Sequence, residues 1–193
     1  MKPGSWLVSI GELISGLLGR DRATVRTSSG EIRIVLRDVG SLESVMRRLR
    51  DHQGRQLRVL SDLAGVDWLE RRENRFEVVY SLLSLEYSTR VRLSVSVAES
   101  VCERPSITSV HPSAGWYERE AYDLFGLVFT GNKDLRRLLT DYGFVGHPMR
   151  KDFPLTGFHE VRYDEVEGRV VLEEVETAQD FREYYVEGSP ARS

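Results

Sequence analysis

The sequence predicts an α+β fold: a mixed, mainly antiparallel sheet packed with helices, followed by an extended irregular C-terminal arm. Residues 90–98 alternate apolar and polar side chains, which is typical of a half-buried strand, and residues 75–83 form a second strand just before it. Residues 42–52 repeat apolar side chains at helical spacing. In the last third of the chain, glycines and prolines interrupt every longer period. We therefore predict a domain over residues 1–130 and an arm over residues 131–193.

Local patterns predict the other elements of the first half. Residues 6–18 repeat apolar side chains at helical spacing and predict a helix, while residues 24–27 and 31–36 predict a hairpin. Residues 56–60 predict one more strand. Asp62 follows that strand, and no second ligand pair at a metal-binding spacing comes after it. We therefore expect a turn or capping role for its side chain.

A further helix is predicted over residues 113–125. Ser113 is a suitable N-cap for it, and Gly126 is a suitable residue to end it. Glu118 and Glu120 then fall in the first turns, where the helix dipole favours acidic side chains by about 0.3–1 kcal/mol each. Local helix chemistry is thus a sufficient explanation for these two acidic residues.

The C-terminal part of the chain is predicted to contain one strand, over residues 169–175. Phe181, Tyr184 and Tyr185 are expected to form a final aromatic anchor. Residues 165–193 carry three basic and eight acidic side chains, and such a charge excess at a chain end is usually solvated.

Composition restricts the class of protein. The 193 residues are 40% hydrophobic and 30% charged with a net charge of −3, which is typical of a soluble globular protein. The single cysteine, Cys102, allows no disulfide within the chain, and no apolar run is long enough to cross a bilayer. Residues 118–164 carry seven basic and eight acidic side chains, whereas nucleic-acid binding needs an excess of positive charge. Nucleic acid is therefore not an expected partner.

The sequence contains no recognised active-site motif. Its histidines form no paired-ligand motif, and it has no Walker loop, dinucleotide fingerprint or nucleophile elbow. The alternative function that we keep is a stand-alone metal-dependent hydrolase, which would use the cluster of Glu118, Asp141, His147 and Asp152.

The segment of residues 118–164 combines balanced charges with many aromatic side chains, yet it shows no long helical or strand period after Gly126. Long irregular stretches in compact domains are usually functional or linkers, and linkers are not this apolar. Composition leaves two interpretations open. Either the segment buries its aromatic rings against another protein, or it covers the core of its own domain.

Motifs in this segment resemble those of one known family. They are EREAYDLFG at Glu118–Gly126, DLRRLLTDYG at Asp134–Gly143 and GHPMRKDFPL at Gly146–Leu155, with support from Arg75–Ser84 and Glu160–Asp164. The chain resembles the 30 kDa subunit family of respiratory complex I, called NuoC in bacteria and NADH dehydrogenase subunit 9 in mitochondria, over roughly residues 56–187. One departure is Asn132-Lys133, where the family usually has His-Pro.

The resemblance implies a non-catalytic structural subunit in the peripheral arm, the quinone module, of proton-translocating NADH:ubiquinone oxidoreductase. The implied partner is the quinone-site subunit, which is related to the large subunit of hydrogenases. FMN, iron–sulfur clusters and quinone are expected on other subunits, and no cofactor or metal on this chain. The implied location is the matrix side of the mitochondrial inner membrane or the cytoplasmic side of the bacterial plasma membrane, with membrane contact only through the complex.

The resemblance also suggests which side chains fix the arm, either within the chain or across the interface with the partner. These candidate residues are Glu118, Arg119, Glu120, Asp123, Arg136, Arg137, Asp141, His147, Arg150, Lys151 and Asp152.

Overall fold

The computed structural model describes residues 5–19, 23–28, 31–70, 74–179 and 182. Contacts group the chain into two compact units, residues 1–153 and residues 154–193. The elements in chain order are α1 (Ser5–Leu18), β1 (Ala23–Ser28), β2 (Glu31–Leu36), a 3₁₀ turn (Val39–Ser41), α2 (Leu42–Asp51), β3 (Val59–Asp67), β4 (Phe76–Ser84), β5 (Thr89–Val97), β6 (Glu103–Pro105), α3 (Ala114–Phe125), β7 (Val128–Thr130), β8 (His159–Asp164) and β9 (Arg169–Glu174).

A five-stranded sheet forms the centre of the first unit, with the strand order β1-β2-β5-β4-β3. Every neighbouring pair is antiparallel except β2 and β5, which are parallel. The predicted mixed, mainly antiparallel sheet is therefore confirmed. Strands β6 and β7 form a separate short parallel pair.

One face of the sheet forms the core. Strand β4 buries every second side chain, because successive residues of a strand point to opposite faces. Helix α2 is amphipathic and buries the apolar side that its sequence predicts. The buried residues of these two elements include Phe76, Val78, Tyr80, Leu82, Leu42, Val45, Met46 and Leu49.

Strand β3 is longer than its sequence predicts, and it runs on to Asp67 because it pairs with β4 along its whole length. Asp62 lies inside this strand opposite Ser81, so the prediction of a turn or capping role was wrong. Helix α3 packs closely against β3: a Cβ atom at Gly65 would lie 2.6 Å from the ring of Phe125. Glycine at this position therefore lets the helix approach the sheet.

The second unit contains the β8–β9 hairpin, of which only β9 was predicted. The predicted aromatic anchor at Phe181, Tyr184 and Tyr185 lies outside the described residues. No helix within the described part of the chain is long and apolar enough to span a membrane.

Candidate partner-binding segment

Residues 131–153, which we call the strap, follow β7 and belong to the first unit although they were predicted as part of the arm. The strap contains turns and bends but no helix or strand. Its backbone therefore needs hydrogen-bond partners other than those of regular structure. Most of the candidate residues supply or receive such bonds, and α3 provides the main anchoring side chains.

Asp123 on α3 is the central acceptor for the strap. Its fully buried carboxylate accepts hydrogen bonds from the backbone N–H groups of Leu138 (3.1 Å), Leu139 (2.7 Å) and Thr140 (2.8 Å). The Thr140 hydroxyl donates at 2.6 Å and the Arg137 guanidinium at 2.9 Å. One carboxylate thus organises three consecutive residues of irregular backbone.

These donors also determine the charge of Asp123. Burial by itself raises the pKa of a carboxyl group, because it disfavours the ionised form. Here the hydrogen bonds from the Thr140 hydroxyl and from the backbone of Thr140, Leu139 and Leu138 outweigh burial, so the pKa of Asp123 lies well below its usual range. Asp123 is therefore ionised at neutral pH.

Two arginines extend this network along the strap. Both terminal nitrogens of Arg137 donate to the carbonyl of Gly146 at 3.0 Å. Arg119 on α3 donates to the carbonyls of Arg136 at 3.2 Å and Arg137 at 3.1 Å. These bonds lie within a single chain and hold the strap to its own helix.

Glu118 anchors the start of the strap from another position on α3. Its buried carboxylate accepts from the backbone of Ile107 (2.9 Å), the hydroxyl of Ser106 (2.8 Å) and the side-chain amide of Asn132 (2.7 Å). Burial raises the pKa of Glu118 although these three donors oppose the shift. The helix begins at Ala114, so Glu118 is beyond its first turn, and the helix-dipole explanation for this residue was wrong.

An ion cluster around Arg75 holds the other end of the strap. The nearly buried guanidinium binds Asp67 at 3.0 Å, Asp152 at 2.7 Å and Glu99 at 2.6 Å. The backbone N–H of Lys151 donates to Asp67 at 2.8 Å. Hydrogen bonds to Asp67 and Asp152 are the main reason that the pKa of Arg75 is raised. The cluster therefore joins the strap to the ends of β3 and β4.

His147 and Arg150 bind backbone carbonyls at the end of α3. Nδ1 of His147 lies 2.9 Å from the carbonyl oxygen of Asp123, and because that oxygen only accepts, Nδ1 carries the hydrogen. Burial lowers the pKa of His147, which favours the neutral ring. Arg150 donates to the carbonyl of Phe125 at 2.7 Å and lies 5.1 Å above the ring of Phe76.

The remaining candidates do not join these networks through their side chains. Arg136 is exposed and pairs with the neighbouring Asp134 at 3.0 Å. Asp141 is exposed and accepts from the backbone N–H of Tyr142. Glu120 is half-buried on α3.

Sequence reasoning missed several anchoring residues. Asp67 and Arg75 were not chosen, although an acidic residue in the inward register of a strand is a signal for a buried ionic partner. Asn132 was noted only as a departure from the family, whereas its amide binds Glu118. Thr140 carried no signal of its own.

The large apolar side chains of the strap face away from the core. The exposed fractions are 61% for Leu139, 103% for Tyr142, 75% for Val145 and 54% for Met149. Trp116 on α3 is also exposed. The polar atoms of the strap thus bind inward while these apolar groups remain outward.

The cluster proposed for a hydrolase is not assembled in the structure. Glu118 binds Asn132, Asp152 binds Arg75 and His147 binds a backbone carbonyl, each at a different place along the strap. Among the described residues, no group of three His, Cys, Asp or Glu side chains could hold a metal ion.

Comparisons with known proteins agree with one another. Residues 36–159 match the family model described as the 30 kDa subunit of respiratory-chain NADH dehydrogenase. The NADH-quinone oxidoreductase subunit from Methylobacterium radiotolerans is 47% identical, over 92% of this chain and 81% of that protein. NADH-ubiquinone oxidoreductase subunit 9 of Reclinomonas americana is 50% identical, over 81% of this chain and 76% of that protein.

Two solved structures share the fold. A trypsin-resistant fragment of Nqo5 matches with a TM-score of 0.53 and 29% identity, covering 67% of this chain and 98% of the fragment. A chain of the membrane-bound sulfane sulfur reductase, an archaeal respiratory membrane complex, matches with a TM-score of 0.66 and 21% identity. The latter covers 78% of this chain and 87% of that chain, and at this identity it shows the fold alone.

Replacement of Asp123 tests the central acceptor of the strap. Asp123→Asn keeps one acceptor oxygen but directs an amide group at hydrogen-bond donors, and it leaves Arg137 without its buried partner. We expect a loss of roughly 3 kcal/mol in the free energy of unfolding, measured by urea denaturation near neutral pH. The exposed control Asp141→Asn should change it by less than about 0.5 kcal/mol. Equal stability of the two variants would contradict the assigned role.

Glu118 should respond to pH in a recognisable way. Its folded-state pKa is raised, so the wild-type chain should lose stability as pH rises from about 4.3, the unfolded value, through the folded value. Glu118→Gln cannot ionise and should lack this contribution. Urea denaturation at about pH 5 and about pH 7 should therefore show that wild type gains relative to Glu118→Gln at the lower pH. A difference independent of pH, or an equal change in Glu120→Gln, would disagree with this assignment.

Proposed function

The chain belongs to the 30 kDa subunit family of respiratory-chain NADH dehydrogenase, and from this membership we propose that it is a structural subunit of the proton-translocating NADH:quinone oxidoreductase whose own side chains perform no catalytic step. Its contribution to electron transfer from NADH to quinone is to hold neighbouring subunits in position. FMN, iron–sulfur clusters and quinone are bound by those neighbours, and this chain binds none of them.

The observation that carries the proposal is the orientation of the strap. Asp123, Glu118 and Arg75 satisfy the polar groups of the strap within the chain. The outward apolar side chains of the strap are then presented by a segment that is fixed in place. Clustered exposed apolar side chains mark protein–protein interaction sites, and a pre-ordered segment loses less entropy on binding. This arrangement suits docking to another protein.

The partner that we propose for the strap is the quinone-site subunit, the hydrogenase-like neighbour in the peripheral arm. The relatives are named as subunits of NADH-quinone or NADH-ubiquinone oxidoreductase, and a role within the assembled enzyme is consistent with an apolar docking segment. The chain then lies at the periphery of the membrane and reaches it only through the complex.

The β8–β9 hairpin of the second unit supports the same role. Its register places Val161 opposite Leu172 and Tyr163 opposite Val170 on one face, and all four side chains are exposed. The opposite face carries ionic groups, including Arg162 paired with a glutamate of β9. An isolated two-stranded hairpin is at best marginally stable in water, so we expect the apolar face to be buried by a neighbouring subunit.

Removal of the outward apolar groups should weaken assembly without unfolding the chain. Each buried Leu or similar side chain is worth about 1.5–3 kcal/mol, and about 1.4 kcal/mol is a tenfold change in affinity. Leu139→Ser combined with Tyr142→Ser should therefore lower the amount of chain recovered with the complex in mild detergent by at least about tenfold. Leu85→Ser, an exposed control on the β4–β5 turn, should have no such effect. Unfolding of the isolated variants should match wild type, and normal recovery of the double variant would oppose the proposal.

Charge reversal separates assembly from chemistry. Arg136→Glu or Arg150→Glu should reduce the amount of assembled complex and leave the turnover of each assembled complex unchanged. Arg150→Glu should also destabilise the isolated chain by about 2 kcal/mol, because the bond to Phe125 and the contact with Phe76 are lost. Arg136→Glu should not, because that side chain is exposed. Normal amounts of complex with slow turnover would argue for a catalytic contribution instead.

A further inference from the structure

The outer face of the five-stranded sheet, opposite the core, is concave and encloses about 1100 Å³. None of the described residues that line this concavity belongs to a helix. Its middle is formed by small or half-buried side chains, which allow another backbone to approach closely. These are Ala64, Val66, Val79, Ser81, Ser94 and Ser96.

Three arginines lie in a line across adjacent strands of this face. The register places Arg26 of β1 opposite Arg33 of β2, and Arg33 opposite Arg92 of β5. Residues that are directly opposite point to the same face, and neighbouring strands lie about 4.8 Å apart. Arg26, Arg33 and Arg92, which we call the arginine row, are all exposed at the concavity.

The arginine row is only partly neutralised by the chain itself. Glu31 lies 3.4 Å from Arg92 and 3.9 Å from Arg33, so one carboxylate serves two guanidinium groups. Arg26 makes no ion pair with a described residue. Like charges directly opposite each other destabilise a sheet, so the row opposes folding of the isolated chain. Bound anionic groups would remove this repulsion.

The two signs of charge are separated across the face. The acidic residues Asp62 and Glu77 line the concavity on β3 and β4, away from the arginine row on β1, β2 and β5. Glu77 also accepts from the indole N–H of Trp68 at 2.8 Å. A face that only meets water usually mixes both signs. A separated pattern is suited to a partner with the complementary arrangement.

We propose that this face binds an acidic polypeptide segment of another subunit of the same complex. Carboxylates of that segment bind the arginine row, since guanidinium groups bind carboxylates in a bidentate geometry. Apolar side chains of the segment cover Val35 and Val79 beside the row. The inference rests on the proposed function for the source of the partner, but it concerns a surface separate from the strap.

The test uses the assembled complex purified in mild detergent, with the photo-crosslinker p-benzoylphenylalanine in place of Val35, which is exposed on this face. After irradiation, mass spectrometry identifies the attached group. The expected product is a peptide of another subunit with at least two Asp or Glu residues near the crosslink. Attachment to lipid or nucleic acid, to a peptide without acidic residues, or to no other molecule would overturn the proposal.

A second comparison examines the charges themselves. Arg33→Gln combined with Arg92→Gln should lower the crosslink yield at least about tenfold. Arg47→Gln combined with Arg48→Gln, which removes the same charge from the exposed surface of α2, should leave the yield unchanged. An unchanged yield in the first variant, or an equal loss in both, would count against the arginine row as the binding element.

Stability and recovery distinguish the possible failures. The isolated Arg33→Gln, Arg92→Gln variant should melt at the same temperature as wild type or about 1–3 °C higher, because repulsion is relieved. A lower melting temperature would contradict the premise that the row opposes folding. Absence of the wild-type chain from the purified complex would overturn the proposed function, whereas a chain that is present but not crosslinked would overturn only this inference.

Discussion

The buried carboxylate of Asp123 is the interaction on which the strap depends. An irregular segment has N–H groups that no helix or strand satisfies, and unsatisfied groups are costly where water is excluded. Asp123 accepts from three consecutive N–H groups and binds Arg137, and Glu118 on the same helix binds Asn132 at the start of the strap. The two carboxylates differ in charge behaviour, because the pKa of Asp123 is lowered by its donors whereas that of Glu118 is raised by burial.

This inward use of polar groups determines which surface is available to a partner. The bonds from Arg119 and Arg137 occupy strap carbonyls, and Asp152 is bound by Arg75. The apolar side chains of the strap remain outward on a backbone that is already ordered. The rigid scaffold therefore explains how an irregular, charged and aromatic sequence can serve as a docking surface. It also relates the two interpretations that composition left open, since the same segment is anchored to its own domain and exposes apolar area.

Much of the fold was predictable, because its main signals are local. Alternation in β5 and helical spacing in α2 identify these elements from a few adjacent residues. The full length of β3, with Asp62 inside it, and the existence of β8 were missed, since pairing with a distant strand decides both. The parallel pairing of β2 with β5 had no local signal either. Of the site, the candidate residues were chosen by family motif, and their contacts were not predictable from their spacing.

By itself, the sequence determined the fold class, the family and the segment of the chain in which the important charges lie. Periodicity and motif are properties of neighbouring residues, so they can be read without coordinates. Only the tertiary structure decided which charges are buried anchors and which side chains are exposed, since the partner of Asp152 is 77 positions away at Arg75. It alone aligned Arg33 with Arg92 across two strands, because strand register is set by pairing and core packing rather than by local sequence.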